Sequence, residues 1–380
     1  MTTRATIYLD YAAATPVDAD VLVTMQPYFS QQFYNPSATY AVAQAVHKDL
    51  EAARAVVAHW LGAHSSEVVF TAGGSEANNL AIHGLMRQYP DANIVVSAIE
   101  HDSVLEAAHQ YDCREVAVKA DGTLDLEDLE KLIDDHTLLV SVMYANNEVG
   151  TIQPIKDISQ VVAAKRSARS SNMPLYLHTD ACQAANYLDL HVARLGVDLM
   201  TLNGGKIYGP KQSGALYVKG GIKLQPLVYG GGQERGLRSG TENVAGAIGF
   251  SRALDSTQTM RHDEVARLQS LQQQFLNMLS DSLPTAVVNG AHKRRLPNNV
   301  HLTLPGHDNE RLLLQLEAQG ILAAAGSACS ASNEEPSHVL RAMGLSDADA
   351  QASLRFTMGR HTTSEDVART VQALVALARE

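Results

Sequence analysis

Between about residues 65 and 220, short apolar runs alternate with stretches of helical character, and this alternation limits the fold more than any other feature. The candidate strands are EVVFT (67–71), NIVVSA (93–98), TLLVSVMYA (137–145), PLYLHTD (174–180), DLMTLN (198–203) and GALYV (214–218). Between 155 and 169, Ile155, Ile158, Val161 and Val162 recur at helical spacing beside Lys156, Lys165 and Arg166. Strands separated by helices of this length call for a parallel or mostly parallel sheet covered on both faces, so the fold class is α/β. After about residue 255 the pattern changes. Val265, Leu268, Leu271, Phe275, Met278 and Leu279 mark one long amphipathic helix, and a last helix follows a Thr363/Asp366 capping signal. Between them VVNG, NNVHLTL and SLRFTM read as strands. We expect a large domain over 15–255, and a smaller α+β domain formed by 256–380 with the N-terminal arm 1–14.

Composition narrows the setting. The formal net charge of -11 argues against broad contact with nucleic-acid phosphates. The start, MTTRATIYLD, has no basic segment leading into an apolar run, and no stretch is apolar for long enough to span a membrane. Cys113, Cys182 and Cys329 are an odd, widely spaced set, which suits a reducing cytoplasm and gives neither a disulfide framework nor a CxxC metal knuckle. The expectation is a cytoplasmic protein with no direct membrane contact and no metal.

In sheets of this kind ligands sit at the carboxyl ends of strands, so the residues just after those runs become the candidates. After EVVFT comes AGGSEANN, where the amides of Gly74 and Ser75 open a helix and suit a phosphate. His101 follows NIVVSA, and Asn147 and Glu148 follow TLLVSVMYA. Asp180 and Gln183 stand at the end of PLYLHTD, and Lys206 follows DLMTLN. A lysine at a buried strand end is a candidate to bond a carbonyl group covalently. Each signal also has a plain structural reading, as a turn glycine, a satisfied histidine or a helix cap. Together they describe a pyridoxal phosphate site: an aspartate for a pyridinium nitrogen, a reactive lysine, a phosphate cradle and a flat partner for a ring. Separately, Cys329 lies in AAAGSACSASNEEPSH (323–338), too small-sided to pack a core and glycine-containing.

The chain resembles the cysteine desulfurases of the NifS/IscS type (group I), within the fold-type I pyridoxal phosphate enzymes. The matching stretches run nearly end to end: YLDYAAATPVD (8–18), NPSATY (35–40), SEANNLAI (75–82), EHDSVL (100–105), NNEVGTIQPI (146–155), KIYGPK (206–211), GGGQERGLRSGTENVAG (230–246), GSACSA (326–331), EPSHVLRAMG (335–344) and LRFTMGR (354–360). The resemblance implies a seven-stranded, mostly parallel sheet and a homodimer. It implies that Lys206 carries the cofactor, Asp180 bonds its ring nitrogen and Gln183 its phenolic oxygen. Asn147 would lie near ring and substrate, and His101 would stack on the ring and move protons. Gly74 and Ser75 would bind phosphate, joined by Thr241 acting across the dimer. Arg355, with Asn35, would hold the carboxylate of L-cysteine. Cys329 would take the substrate's sulfur as a persulfide, alanine would leave, and a sulfur-acceptor protein would follow. A loop of small residues about 323–336 suits a thiol that must serve both a buried substrate and a protein partner. Cys113 and Cys182 are read as inert small hydrophobes.

Two departures stand out. The family's usual Ser-Gly-His-Lys is here Asn203-Gly204-Gly205-Lys206, which removes two side chains that bind phosphate and predicts a weaker cofactor. The sequence ends at Glu380, without the longer tail used to dock an iron–sulfur scaffold, which favours a specialised acceptor such as a tRNA-thiolation or DNA-phosphorothioation system. Two rivals stay open: a selenocysteine lyase or aminotransferase on the same fold, and a cofactor-poor interaction subunit.

Overall fold

The computed structural model describes residues 6–326 and 336–379. A short strand β1 (Ile7–Tyr8) precedes the main sheet, which contains β2 (Val68–Thr71), β3 (Asn93–Ser97), β4 (Asp112–Val116), β5 (Thr137–Ser141), β6 (Tyr176–Asp180), β7 (Leu199–Asn203) and β8 (Gly214–Val218). Their order is β2-β8-β7-β6-β5-β3-β4, and β8 alone runs against its neighbours. The mostly parallel sheet expected from the alternation is therefore present, with the seven strands that the resemblance implies. Six strands (β2, β3, β5, β6, β7 and β8) are buried or almost wholly buried along their length, as continuous apolar runs covered on both faces require. The exception, β4 (DCREV), is an edge strand with exposed and half-buried residues, and its charged composition hides it from a reading based on apolar runs.

The second apolar cluster joins Ile7 and Leu9 to Leu268, Phe275, Phe356 and Leu374. It packs a three-stranded antiparallel sheet of β9 (Val287–Val288), β10 (Asn299–Thr303) and β12 (Ser353–Thr357). The remaining strand β11 (Ile321–Leu322) pairs in parallel with β1. The helix expected around 265–279 is in fact one continuous helix, Val244–Ser282, of 39 residues. It passes straight through position 255, so the polypeptide changes partners along a helix rather than in a linker. The last helix, Ser364–Leu377, opens with the reciprocal Thr363/Asp366 capping box that its sequence announces.

Candidate active site

Two neighbouring strands set the floor of a cleft. Asp180 is the last residue of β6, and Lys206 closes a short turn immediately after β7, the adjacent parallel strand. Asp180 is nearly buried, and both its oxygens are used: Oδ1 accepts the Cys182 amide and Oδ2 accepts Asn78 Nδ2, each at 2.8 Å. Asn78, fully buried on the helix Gly74–Met86, also donates to Ser103 Oγ at 2.9 Å. Ser103 in turn contacts His101 Nδ1 at 2.9 Å, while its amide donates to the same nitrogen at 3.0 Å. His101 Nδ1 is thus an acceptor, which leaves Nε2 as the protonated nitrogen of the neutral ring. A hydrogen-bonded chain Asp180–Asn78–Ser103–His101 lines one side of the cleft. Asn78 and Ser103 fall inside the family-matching stretches 75–82 and 100–105, but nothing in the sequence marks them for this role.

The N-terminal arm forms the opposite side. Lys206 Nζ donates to the carbonyl oxygens of Ala12 at 2.8 Å and Ala13 at 2.6 Å, and Gln183 Nε2 donates to Ala12 at 3.0 Å. Thr15 is tied to the lysine turn through the carbonyl of Gly205, at 3.1 Å from both its amide and its hydroxyl. Carbonyl groups carry no sequence signature, so this role of the arm was not legible.

At the far end lies Arg355 of β12, 1 % exposed. Its Nη2 pairs with Asp10 Oδ1 at 2.7 Å and its Nη1 donates to the Asn147 carbonyl at 3.1 Å, while Nε has no partner among the described residues. A buried guanidinium with donors to spare suits a carboxylate.

These residues enclose a cleft of about 200 Å³ lined by Gly74, Ser75, His101, Asn147, Asp180 and Lys206, with Gln183, Asn203 and Arg355 completing it. It adjoins a second cavity of about 350 Å³ that shares Gly74, Ser75, Asn203 and Lys206 and adds Gly205 and Lys211. Nine of the expected residues therefore meet in one place, and Gly205 borders the adjoining space. Asn35 and Thr241 are exposed and line neither cavity. Asn35 Oδ1 instead takes the Ser37 amide at 2.9 Å, and Ser37 Oγ reaches Glu242 at 3.4 Å, so these two segments share one surface. Cys329 lies outside the described residues. Both flanks of its segment are fixed beside the cleft: the Ala324 amide pairs with the Arg355 carbonyl at 3.2 Å, and Ser337 Oγ donates to Glu148 at 2.6 Å. The other thiols are poor nucleophiles. Burial pushes Cys113 up to about 11 and Cys182 well above its usual range.

The donor set fits pyridoxal 5'-phosphate. A carboxylate aimed by two N–H groups faces the cleft, a lysine stands on the adjacent strand end, and the helix Gly74–Met86 points its amino end at the shared edge of the two cavities. The buried Asn78 Oδ1 has no partner among the described residues and borders the same cleft. Among the described residues no group of three or more His, Cys, Asp or Glu side chains is placed to hold a metal ion.

Residues 7–370 match the class-V aminotransferase family. The cysteine desulfurase IscS of Dictyoglomus turgidum is 38% identical over 375 residues, covering 97% of this chain and 93% of that protein. The solved structure of a NifS-like protein superposes with a TM-score of 0.91 at 31% identity, covering 98% of this chain and 99% of that one. The structure of SspA in complex with cysteine superposes with a TM-score of 0.81 at 33% identity, covering 94% and 100%. With a lysine and an aspartate on adjacent strand ends and similarity along nearly the whole sequence, the chain belongs to the class-V aminotransferase family, on its cysteine desulfurase branch.

Proposed function

We propose that this protein is a pyridoxal phosphate-dependent cysteine desulfurase, which converts L-cysteine to L-alanine and captures the sulfur as a persulfide on Cys329. The convergence of Lys206, Asp180 and Arg355 on one cleft carries the reading. When bound, the cofactor supplies an electron-withdrawing ring that stabilises negative charge at the substrate's α-carbon.

The chain's own residues do the rest. Lys206 holds the cofactor, and the Ala12 and Ala13 carbonyls keep its amine in the cleft. Asp180, its angle fixed by Asn78 and the Cys182 amide, would hold the proton on the ring nitrogen. Gln183 and Asn147, which line the cleft, would hold the ring, and His101, oriented by Ser103, would move a proton through Nε2. Arg355 takes the substrate carboxylate, while Met143 and Ala145 add apolar side chains to the lining. The Cys329 sulfur then bonds the substrate sulfur, the carbon–sulfur bond breaks, and the carbon takes up a proton as alanine forms. One thiol and L-cysteine thereby give one persulfide and L-alanine.

The enzyme acts as a homodimer in this reading. Thr241 and Asn35, exposed here, share a surface with the exposed rings of Phe33 and Tyr40, and that surface gives a second copy apolar area to cover. The division near residue 255, a cytoplasmic location and delivery of the sulfur to an acceptor protein belong to the same proposal. Iron–sulfur assembly, tRNA thiolation and DNA phosphorothioation are the acceptor systems it admits. Among the described residues no helix is long and apolar enough to cross a membrane.

Cys329→Ser tests the reading. The variant should bind L-cysteine and change the cofactor's absorbance, yet release no sulfide, because a hydroxyl cannot accept sulfane sulfur. Undiminished sulfide release would remove Cys329 from its role.

A further inference from the structure

We propose that Lys211 supplies the positive charge that holds the cofactor's phosphate. The inference rests on the cofactor reading above and concerns the cavity beside the lysine turn. That cavity is bordered by the amino end of the helix Gly74–Met86, by Asn203 and Gly205, and by Lys206 and Lys211.

The side chains nearest the helix end supply no positive charge. Asn203 Oδ1 accepts the Gly205 amide at 3.0 Å, which turns its Nδ2 toward Gly74, 3.5 Å from where a Cβ on that glycine would stand. It is a neutral donor. Gly205 has no side chain, and a Cβ built there would meet Asn203 Oδ1 at 3.5 Å and Lys211 Cγ at 3.7 Å, which is ordinary contact. The space left by Gly205 therefore opens onto the stem of Lys211.

Charge accounting singles out the same residue. Lys206 is committed to the cofactor's carbonyl. Glu76, the acidic residue bordering the cavity, is engaged by Arg238 Nε and by the Ala72 amide, both at 2.8 Å. Lys211 Nζ donates to the Thr15 carbonyl at 2.7 Å and forms no ion pair with a carboxylate among the described residues. An ammonium held by a neutral oxygen at the edge of an anion-sized space has charge available for a phosphate.

The backbone also holds Lys211 in place. Tyr208 and Gln212, on either side of it in the turn, both have left-handed φ angles, of 62° and 56°. Non-glycine residues keep such angles only where their surroundings impose them, and such sites cluster around ligands. Here Thr15 Oγ1 fixes the Tyr208 amide at 2.8 Å, and Ser213 Oγ fixes the Pro210 carbonyl at 2.6 Å.

The test compares holoenzyme, Lys211→Met and Lys211→Arg. Each is stripped and reloaded with pyridoxal 5'-phosphate or with pyridoxal, which lacks the phosphate, and binding is read from near-visible absorbance. Inorganic phosphate serves as a competitor. Loss of one charged hydrogen bond should weaken pyridoxal 5'-phosphate about tenfold or more in Lys211→Met. Inorganic phosphate should lose competing power by a similar factor, pyridoxal binding should hold, and Lys211→Arg should recover most of the loss. Unchanged pyridoxal 5'-phosphate binding in Lys211→Met would overturn the inference. So would equal weakening of both aldehydes, which would make Lys211 a support of the fold. A wild type that takes up neither aldehyde would instead overturn the cofactor reading itself.

Discussion

The sheet side of the cleft offers side chains, whereas the N-terminal arm facing it offers mainly carbonyl oxygens. Asp180, Asn78 and Ser103 are linked through side-chain hydrogen bonds along the cleft wall, and the strands beneath them are buried. The arm and the residue that follows it contribute the oxygens of Ala12, Ala13 and Thr15 to two lysines, and the arm gives a single charged side chain, Asp10, to Arg355. Chemistry on the sheet side depends on which residue stands at each position. On the arm it depends on where the backbone runs, and alanines suffice. Substitutions on the sheet side should therefore change chemistry, and substitutions on the arm should change stability and positioning.

The largest expected effect is on the sheet side. Lys206→Ala should abolish both the cofactor's near-visible absorbance and turnover, since it is the one lysine among the described residues that lines the cleft. A Lys206→Ala enzyme that stays active while Lys211→Ala loses its cofactor would exchange their roles. On the arm, Asp10→Ala leaves the buried Arg355 without its carboxylate, and breaking a buried pair costs about 3–5 kcal/mol. Calorimetry should show a lowered melting temperature, with the cofactor band retained. If stability holds and the band disappears, the arm does chemistry and the contrast fails.

A smaller effect is expected at Asn78. Asn78→Ala removes one of the two donors to Asp180 and the link to Ser103, for a loss of about 1–3 kcal/mol. Cofactor titration should show weaker binding and steady-state kinetics a lower kcat. Loss of stability alone, with kinetics intact, would make the Asp180–His101 chain a packing feature. The smallest effect should come from Cys113→Ala, on the edge strand β4, where a half-buried thiol held neutral by its surroundings has no part in turnover. Stability should change by about 0.5 kcal/mol and sulfide release should be unaffected. Loss of sulfide release in this variant would break the assignment of a single working thiol.

The sheet-side residues were legible because two rules coincide there: ligands collect at the carboxyl ends of parallel strands, and an aspartate and a lysine at neighbouring ends have few other uses. Asp180 and Lys206 needed only the strand pattern. Arg355 needed the family resemblance, since nothing in SLRFTM distinguishes a buried substrate arginine from a structural one. Asn78 and Ser103 escaped notice because their roles depend on partners 102 and 25 residues from Asn78 in sequence. Strand β4 escaped because DCREV is charged, and the unbroken helix Val244–Ser282 because its first half is rich in small residues and shows a weak amphipathic stripe. Asn35 and Thr241 illustrate a different case: both are exposed on one chain, and the surface they share is where a second copy would matter.

Product analysis tests the central claim most directly. The purified enzyme, supplied with L-cysteine and a thiol reductant, should form L-alanine and sulfide in equal amounts, and without reductant one persulfide per Cys329. A keto acid in place of alanine would identify an aminotransferase, and alanine formed from selenocysteine but not from cysteine would identify a selenocysteine lyase. Either result would contradict the account.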